Sequence, residues 1–259
     1  MGGENPTSGE RQPCNFFYFG LIVTGKGERE HLPKLFKSLM ATGICTFEVI
    51  RFVGQRGPRT SEKRRFDIPG ISKSIPKKDE EEIGLPARGY LNRGRCHFVV
   101  LADDLEYERR NQVPQVFNRY RLALDTILKE HKHQASVHFL VNMLEAYYFA
   151  DAKALNAVLG TALTDDEGDV EDIRSPIGEL KNHFPSFHEV EHGGEILEKI
   201  DVEHVLSRPD TCASLRTLFA WCVKVLERYL NYQSLSLTGK YRLHDGKLSD
   251  ITRAQLDNL

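Results

Sequence analysis

Four short apolar runs punctuate the first 141 residues. Asn15–Val23 (NFFYFGLIV) is almost continuously hydrophobic and stops at Thr24-Gly25. A parallel strand buried on both faces has this pattern. Leu32, Leu35, Phe36, Leu39 and Met40 then recur at helical spacing. With a start near Glu30, Pro33 falls in the first turn, where amides lack partners anyway. Gly43 ends this helix, and Cys45–Val53 (CTFEVIRFV) predicts a second strand, which completes a βαβ unit. From Gly54 to about Leu85 the pattern fails, in a long loop rich in Gly, Pro, Ser and charge. A short helix over Pro86–Asn92 precedes a third strand, Cys96–Ala102, with Asp103 and Asp104 at its end. Pro114 suits the first turn of a long helix. Its face is Val116, Phe117, Tyr120, Leu124, Ile127 and Leu128, and Ala135–Val141 (ASVHFLV) is the fourth strand.

Beyond Val141 the period becomes helical. Asn142–Leu159 reads as two short helices, Asp165–Asp172 as an acidic loop, and Pro176–Phe184 and Glu195–Ile200 as further short helices. Asp210 is a suitable N-cap for an amphipathic helix reaching Leu230. Ser234–Leu243 alternates weakly, as a hairpin around Thr238-Gly239 would. The expectation is an α/β fold: a mostly parallel four-stranded sheet flanked by helices, then a helical C-terminal half. Its parts are a disordered lead-in over 1–14, an α/β domain over 15–160 with a loop over 54–85, and a helical extension over 161–259.

The 259 residues, 40% of them hydrophobic, suit one large domain. No apolar run is long enough to span a bilayer, and 1–13 lacks the apolar core of a signal peptide. Five cysteines, odd in number and with no C-x-x-C pair, argue against a disulfide framework and a thiolate zinc site. Cys45 and Cys96 lie in apolar runs, as small core residues do. These features predict a reducing compartment, the cytoplasm. A net charge of −2 excludes a globally basic protein. Arg51–Lys78, however, carries nine basic residues against two acidic ones, so the segment is +7 and the remainder −9. Arg56, Arg59, Arg64 and Arg65 within it are candidate contacts to the phosphates of DNA or RNA, with Lys26 and Arg29 beside them. A solvated loop or a surface for an acidic protein is the alternative.

Parallel sheets bind ligands at the carboxyl ends of their strands. The first strand ends in Thr24-Gly25-Lys26-Gly27-Glu28 and the third in Asp103-Asp104-Leu105-Glu106. If those strands are neighbours, Glu28, Asp103, Asp104 and Glu106 converge, and several carboxylates at one point need a cation. Oxygen ligands suit Mg²⁺ or Mn²⁺, which grips phosphate oxygens and activates water. Alternatively, Asp103 and Asp104 cap the next helix. Glu145 is the only acid in Phe139–Ala150 and is either a supporting group at that site or one half of a capping box with Asn142.

Gly20-Leu-Ile-Val-Thr-Gly-Lys-Gly-Glu28, followed by an amphipathic helix, resembles the first motif of Toprim domains. Val-Val-Leu-Ala-Asp103-Asp104 resembles their second. Met143-Leu-Glu145-Ala-Tyr-Tyr-Phe-Ala-Asp151 and Gly193-Gly194-Glu195-Ile-Leu are similar to segments of the Toprim-like family called domain of unknown function 4276. The likeness runs from about Phe16 through Trp221. It implies Mg²⁺-dependent phosphodiester chemistry, with a glutamate before the first glycine moving protons and aspartates holding the ion. Thr24 stands at that glutamate position and Leu105 at the second aspartate. Glu28 is then the substitute proton carrier, and Asp104 with Glu106 the substitute acid pair.

Three functions compete. The first is a metal-dependent nuclease, in genome defence by extension of the resemblance. The second is a non-catalytic module that binds nucleic acid or a protein partner such as an ATPase. The third is a zinc peptidase, because His188-Glu-Val-Glu-His192 satisfies H-E-x-x-H. Pro185 before that motif and Gly193-Gly194 after it leave little room for a rigid two-turn helix. Gly20-x-x-x-x-Gly25-Lys26 is no P-loop, because Gly27 replaces the Ser/Thr and the intervening residues read as strand.

Overall fold

The apolar runs become four parallel strands: β1 (Phe17–Val23), β2 (Cys45–Phe52), β3 (His97–Leu105) and β4 (Ala135–Val141), in the order β2-β1-β3-β4. The computed structural model describes residues 13–58, 77–230 and 236–259. The lead-in as far as residue 12, the centre of the basic loop with Arg59, Arg64 and Arg65, and the start of the expected hairpin lie outside them.

β1 is central because it pairs on both sides: Val23 is opposite Phe52 of β2 and Ala102 of β3. β3 overruns β1 by three residues. Asp103, Asp104 and Leu105 stay in the sheet, opposite Phe139, Leu140 and Val141 of β4. The aspartates therefore belong to the strand and do not cap a helix. Period-two alternation along β3 divides the core. Phe98, Val100 and Ala102 join one hydrophobic layer, and Val99, Leu101 and Leu105 the other.

The first layer is covered by α1 (Lys26–Leu35) and a short turn, α2 (Lys37–Met40). The helix starts at Lys26, not near Glu30, so Pro33 lies inside it. Helical pairing tightens just beyond, where the Phe36 N–H donates to the Pro33 carbonyl, three residues back, at 3.1 Å. The second layer is covered by α3 (Leu85–Leu91), entered through a π-helical turn, and by α4 (Val113–Leu128), with Pro114 in its first turn as expected.

The helical half comprises α5 (Ala152–Leu159), α6 (Pro176–His183), α7 (Glu191–Lys199), α8 (Val202–Ser207), α9 (Ala213–Tyr229) and α10 (Leu237–Lys240). α9 buries Leu215, Leu218, Phe219, Trp221, Cys222 and Leu226 in the first layer. Its N-cap is Cys212, in a left-handed conformation, and not Asp210. The capping carboxylate comes from another segment: Glu171 accepts Ser214 N–H at 2.8 Å, Ser214 Oγ at 3.2 Å and the Tyr147 hydroxyl at 3.1 Å. A helical turn, α10, replaces the hairpin expected over Ser234–Leu243.

Cys14 and Cys96, 82 residues apart, form a disulfide that corrects the reading of Cys96 as a lone core thiol. Backbone pairing makes this possible. Cys14 donates to the Tyr229 carbonyl at 2.7 Å and bridges Leu230, which brings it beside the start of β3. Cys45, Cys212 and Cys222 are free and buried. At the outer edge of β4, the Gln255 side chain pairs with Val137 like a strand, accepting its N–H at 2.9 Å and donating to its carbonyl at 2.7 Å. No helix among the described residues is long and apolar enough to cross a membrane.

Candidate active site at the strand ends

Parity along β3 sends the two aspartates to opposite faces of the sheet. Asp103 faces α4. Its Oδ1 accepts the Thr24 hydroxyl at 2.7 Å, and its Oδ2 accepts Tyr120 at 3.0 Å and Arg109 at 3.4 Å. Burial raises its pKa, and these three donors pull the other way. Thr24 also accepts the Asp104 N–H at 3.1 Å, so its hydroxyl fills the rung that β1 is too short to supply. Gln55 donates to the Asp104 carbonyl at 2.6 Å.

Asp104 faces α1 and is buried, with no hydrogen-bond partner for Oδ1. Glu28, in the first turn of α1, is buried too, with Oε2 equally unpartnered. Its carboxylate folds back over Gly25, where any Cβ would collide with it. Glycine at 25 therefore makes room for this acid. Burial raises Glu28 to about 7, its own backbone N–H opposes the rise, and the Asp103 charge adds to it.

Glu145 reaches the same place from the end of β4. Asn142 and Met143 both have positive φ (57° and 75°) and reverse the chain into the 3-10 turn Leu144–Ala150. Non-glycine residues hold such a backbone only where the surroundings impose it. Here Asn142 Nδ2 donates to the carbonyls of Glu171 and Ile173, at 2.7 and 2.8 Å. That engagement replaces the expected capping box, because Asn142 does not cap the turn. Burial raises Glu145 to about 7, with Glu28 and Glu189 adding charge repulsion. Asp104 is raised well above the carboxylate range by burial and then by Glu28, Glu145, Asp103 and Glu106. Glu28, Asp104 and Glu145 thus form one electrostatic unit, with the exposed Glu106 at its margin.

Oxygen-only donors with two orphaned buried atoms fit a hard divalent cation. Among the described residues, no group of three or more His, Cys, Asp or Glu is spaced to hold an ion with its present rotamers. Coordination would therefore require acidic side chains of this cluster to change rotamer.

The other expected residues separate. Lys26 and Arg29 are exposed at the mouth, Arg29 paired with Glu30 at 2.9 Å. Arg56 is engaged within the chain. Its guanidinium is shielded and bound to Asp79 at 2.9 Å and to Glu82. His188 and His192 do not share a face of a helix, because α7 begins only at Glu191. The His192 Nδ1 accepts the His188 N–H at 2.8 Å, and the His188 Nδ1 accepts the Glu191 N–H at 3.3 Å, so both rings serve the helix start. Tyr120, Arg109 and Glu189 were not expected at the site. The only sequence signal for Tyr120 was its place on the apolar face of α4, which says core and not carboxylate partner.

A family model described as Domain of unknown function (DUF4276) matches residues 23–221, which takes in Thr24, Glu28, both aspartates and Glu145. No curated protein and no solved structure matches the chain.

Proposed function

We propose that this chain, which belongs to the Domain of unknown function (DUF4276) family, is a Mg²⁺- or Mn²⁺-dependent enzyme that cleaves phosphodiester bonds in DNA or RNA. What carries the reading is that Glu28, Asp104 and Glu145 are buried carboxylates from three different elements, two with an oxygen left unpaired, and that the charges of Glu28 and Glu145 help raise Asp104. Structural carboxylates in this chain look different: Asp103 and Glu171 have their oxygens satisfied. The Toprim likeness of the first two strand ends is part of the same proposal.

In this mechanism Asp104 and Glu145 would hold the cation, with Glu106 at the rim. When bound, the cation would polarise a phosphate oxygen and lower the pKa of water. Glu28, with its pKa raised to about 7, is poised to take a proton from an attacking water and return it to the leaving oxygen. Asp103 is a positioning residue. It orients Arg109 and, through Thr24, the backbone of Asp104. Lys26 and Arg29 hold the substrate backbone. Cytoplasmic action in genome defence belongs to the same reading, although the Cys14–Cys96 bond takes away the ground that unpaired cysteines gave for a reducing compartment.

Purified protein incubated with labelled DNA and RNA in Mg²⁺ or Mn²⁺ should cleave, and chelator, Asp104→Asn or Glu28→Gln should abolish cleavage. Absence of metal-dependent cleavage by the wild-type protein, with unchanged metal titration in Asp104→Asn, would overturn the reading.

One observation favours a second reading. Both Asp103 oxygens are occupied and the present rotamers close no three-ligand shell. That suits a non-catalytic module binding nucleic acid or an ATPase partner. Cleavage gained by Thr24→Glu in an inactive wild type would support it, and cleavage by the wild type would end it.

A further inference from the structure

Large hydrophobic side chains are exposed at Tyr18, Phe52 and Leu122 among the described residues. Two have ordinary settings. Tyr18 stacks on His97 at 4.6 Å and packs against Phe16, at the opposite end of the sheet from the carboxylates. Leu122 lies on the outer side of α4. Phe52 differs in place and company. It is the last residue of β2, opposite Val23, and Thr24-Gly25 and the Glu28 turn follow Val23 directly. It is 40% exposed, and Arg29, one residue beyond Glu28, sets its guanidinium over the ring at 5.3 Å. Arg51 precedes it and Lys26 opens α1. Both are exposed, with no ion pair among the described residues. Phe52 also opens the strongly basic stretch that runs to Lys78.

An exposed aromatic ring among cations is what an unpaired base and its phosphates require: the ring offers a stacking face and the cations neutralise the backbone. Bases within a duplex are already stacked on their neighbours and cannot use such a ring. We propose that Phe52, with Lys26, Arg29 and Arg51, forms a stacking platform for an unpaired base, so that the substrate of the carboxylate site is single-stranded nucleic acid. The proposal deepens the phosphodiesterase reading and rests on it for the chemistry, but the platform can be tested without any cleavage.

The test measures binding of labelled single-stranded DNA, single-stranded RNA and duplex DNA by anisotropy, in chelator, for wild type, Phe52→Ala, Phe52→Trp and Lys26→Ala. Circular dichroism confirms that each variant is folded. Phe52→Ala should weaken binding of single strands about tenfold while leaving duplex affinity and the salt slope unchanged. Lys26→Ala should reduce the salt slope by roughly 0.7. Phe52→Trp should retain affinity, and its exposed indole should be quenched by a bound strand, whereas Trp221 is buried. The DNA and RNA arms identify which strand is preferred. Equal losses for single strands and duplex, an unaffected Phe52→Ala, or no binding by wild type would overturn the platform. If Phe52-dependent binding is found without metal-dependent cleavage, the platform stands and the enzymatic reading falls. Asp104-dependent cleavage with indifferent Phe52→Ala binding gives the reverse.

Discussion

Thr24 and Asp103, 79 residues apart, are joined by a 2.7 Å hydrogen bond across the ends of β1 and β3, and the same hydroxyl accepts the Asp104 N–H. One oxygen therefore satisfies two buried groups. Thr24→Val keeps the shape and leaves both without that partner, at a cost of about 1–3 kcal/mol. Urea denaturation should show that loss, and Thr24→Ser should restore most of it. An undisturbed midpoint in Thr24→Val would mean that the bond is not formed in solution.

The carboxylate cluster fixes the sign of a pH effect. Glu28 and Glu145 are raised from 4.5 to about 7, so between those values the folded chain binds more protons than the unfolded one. Their stabilising contribution is complete below about pH 4.5 and is lost as pH rises through about 7. From about pH 5 to pH 8 the unfolding free energy should fall by several kcal/mol. Glu28→Gln should flatten the profile. A profile that rises over this range would remove the buried cluster from consideration.

Added cation should act against that loss. At about pH 8, Mg²⁺ or Mn²⁺ should raise the melting temperature of the wild type by a few degrees, in line with binding to the folded state alone. Asp104→Asn and Glu145→Gln should each abolish the rise, whereas Glu191→Gln, at the start of α7, should preserve it. An equal response in all four proteins would locate the ion elsewhere.

Glu171 ties the start of α9 to the turn that carries Glu145, through Ser214 and Tyr147. Glu171→Ala strips acceptors from three buried donors and should destabilise the fold by about 2–4 kcal/mol. Any cleavage should fall further than the folded fraction does, because the turn bearing Glu145 loses its brace. Loss of activity only in proportion to unfolding would assign Glu171 a purely structural role.

The Cys14–Cys96 bond joins residues 82 apart in sequence, and cross-linking that length stabilises by about 4.5 kcal/mol in the chain-entropy treatment. Alkylation without reduction should leave three modifiable thiols after denaturation, and Cys14→Ser should lower the melting temperature. Five alkylated cysteines in protein purified without reductant would show the bond absent under those conditions.

The strands and their parallel direction were legible because buried strands leave continuous apolar runs, but their order in the sheet, with β3 beside β1, was not. The nearness of Glu28 to the aspartates was legible only on the condition that the first and third strands are neighbours, which the pairing of β1 with β3 meets. The division of labour between Asp103 and Asp104 was not legible. Two adjacent acids look alike in a sequence, and only the extension of β3 past Val23 sends one to α4 and the other to α1. Tyr120 and Arg109 as partners of Asp103 depend on how helices lie across the sheet, which local periodicity does not encode. Glu145 was visible as an isolated acid in an apolar stretch. Its direction was not, because the chain reverses through positive φ at Asn142 and Met143, and the Asn142 side chain is held by the carbonyls of Glu171 and Ile173, about 30 residues further on. The Cys14–Cys96 contact likewise depends on distant backbone pairing with Leu230.

The amide of Gln255 gives the last strand a one-residue substitute for a neighbour. Deprived of it, Val137 would present a bare donor and acceptor on the margin of a hydrophobic sheet, an invitation to pair with another molecule. The C-terminal turn therefore acts as a guard against self-association. A chain shortened before Gln255 should remain folded in its centre yet grow sticky, sedimenting as larger species at concentrations where the whole protein does not.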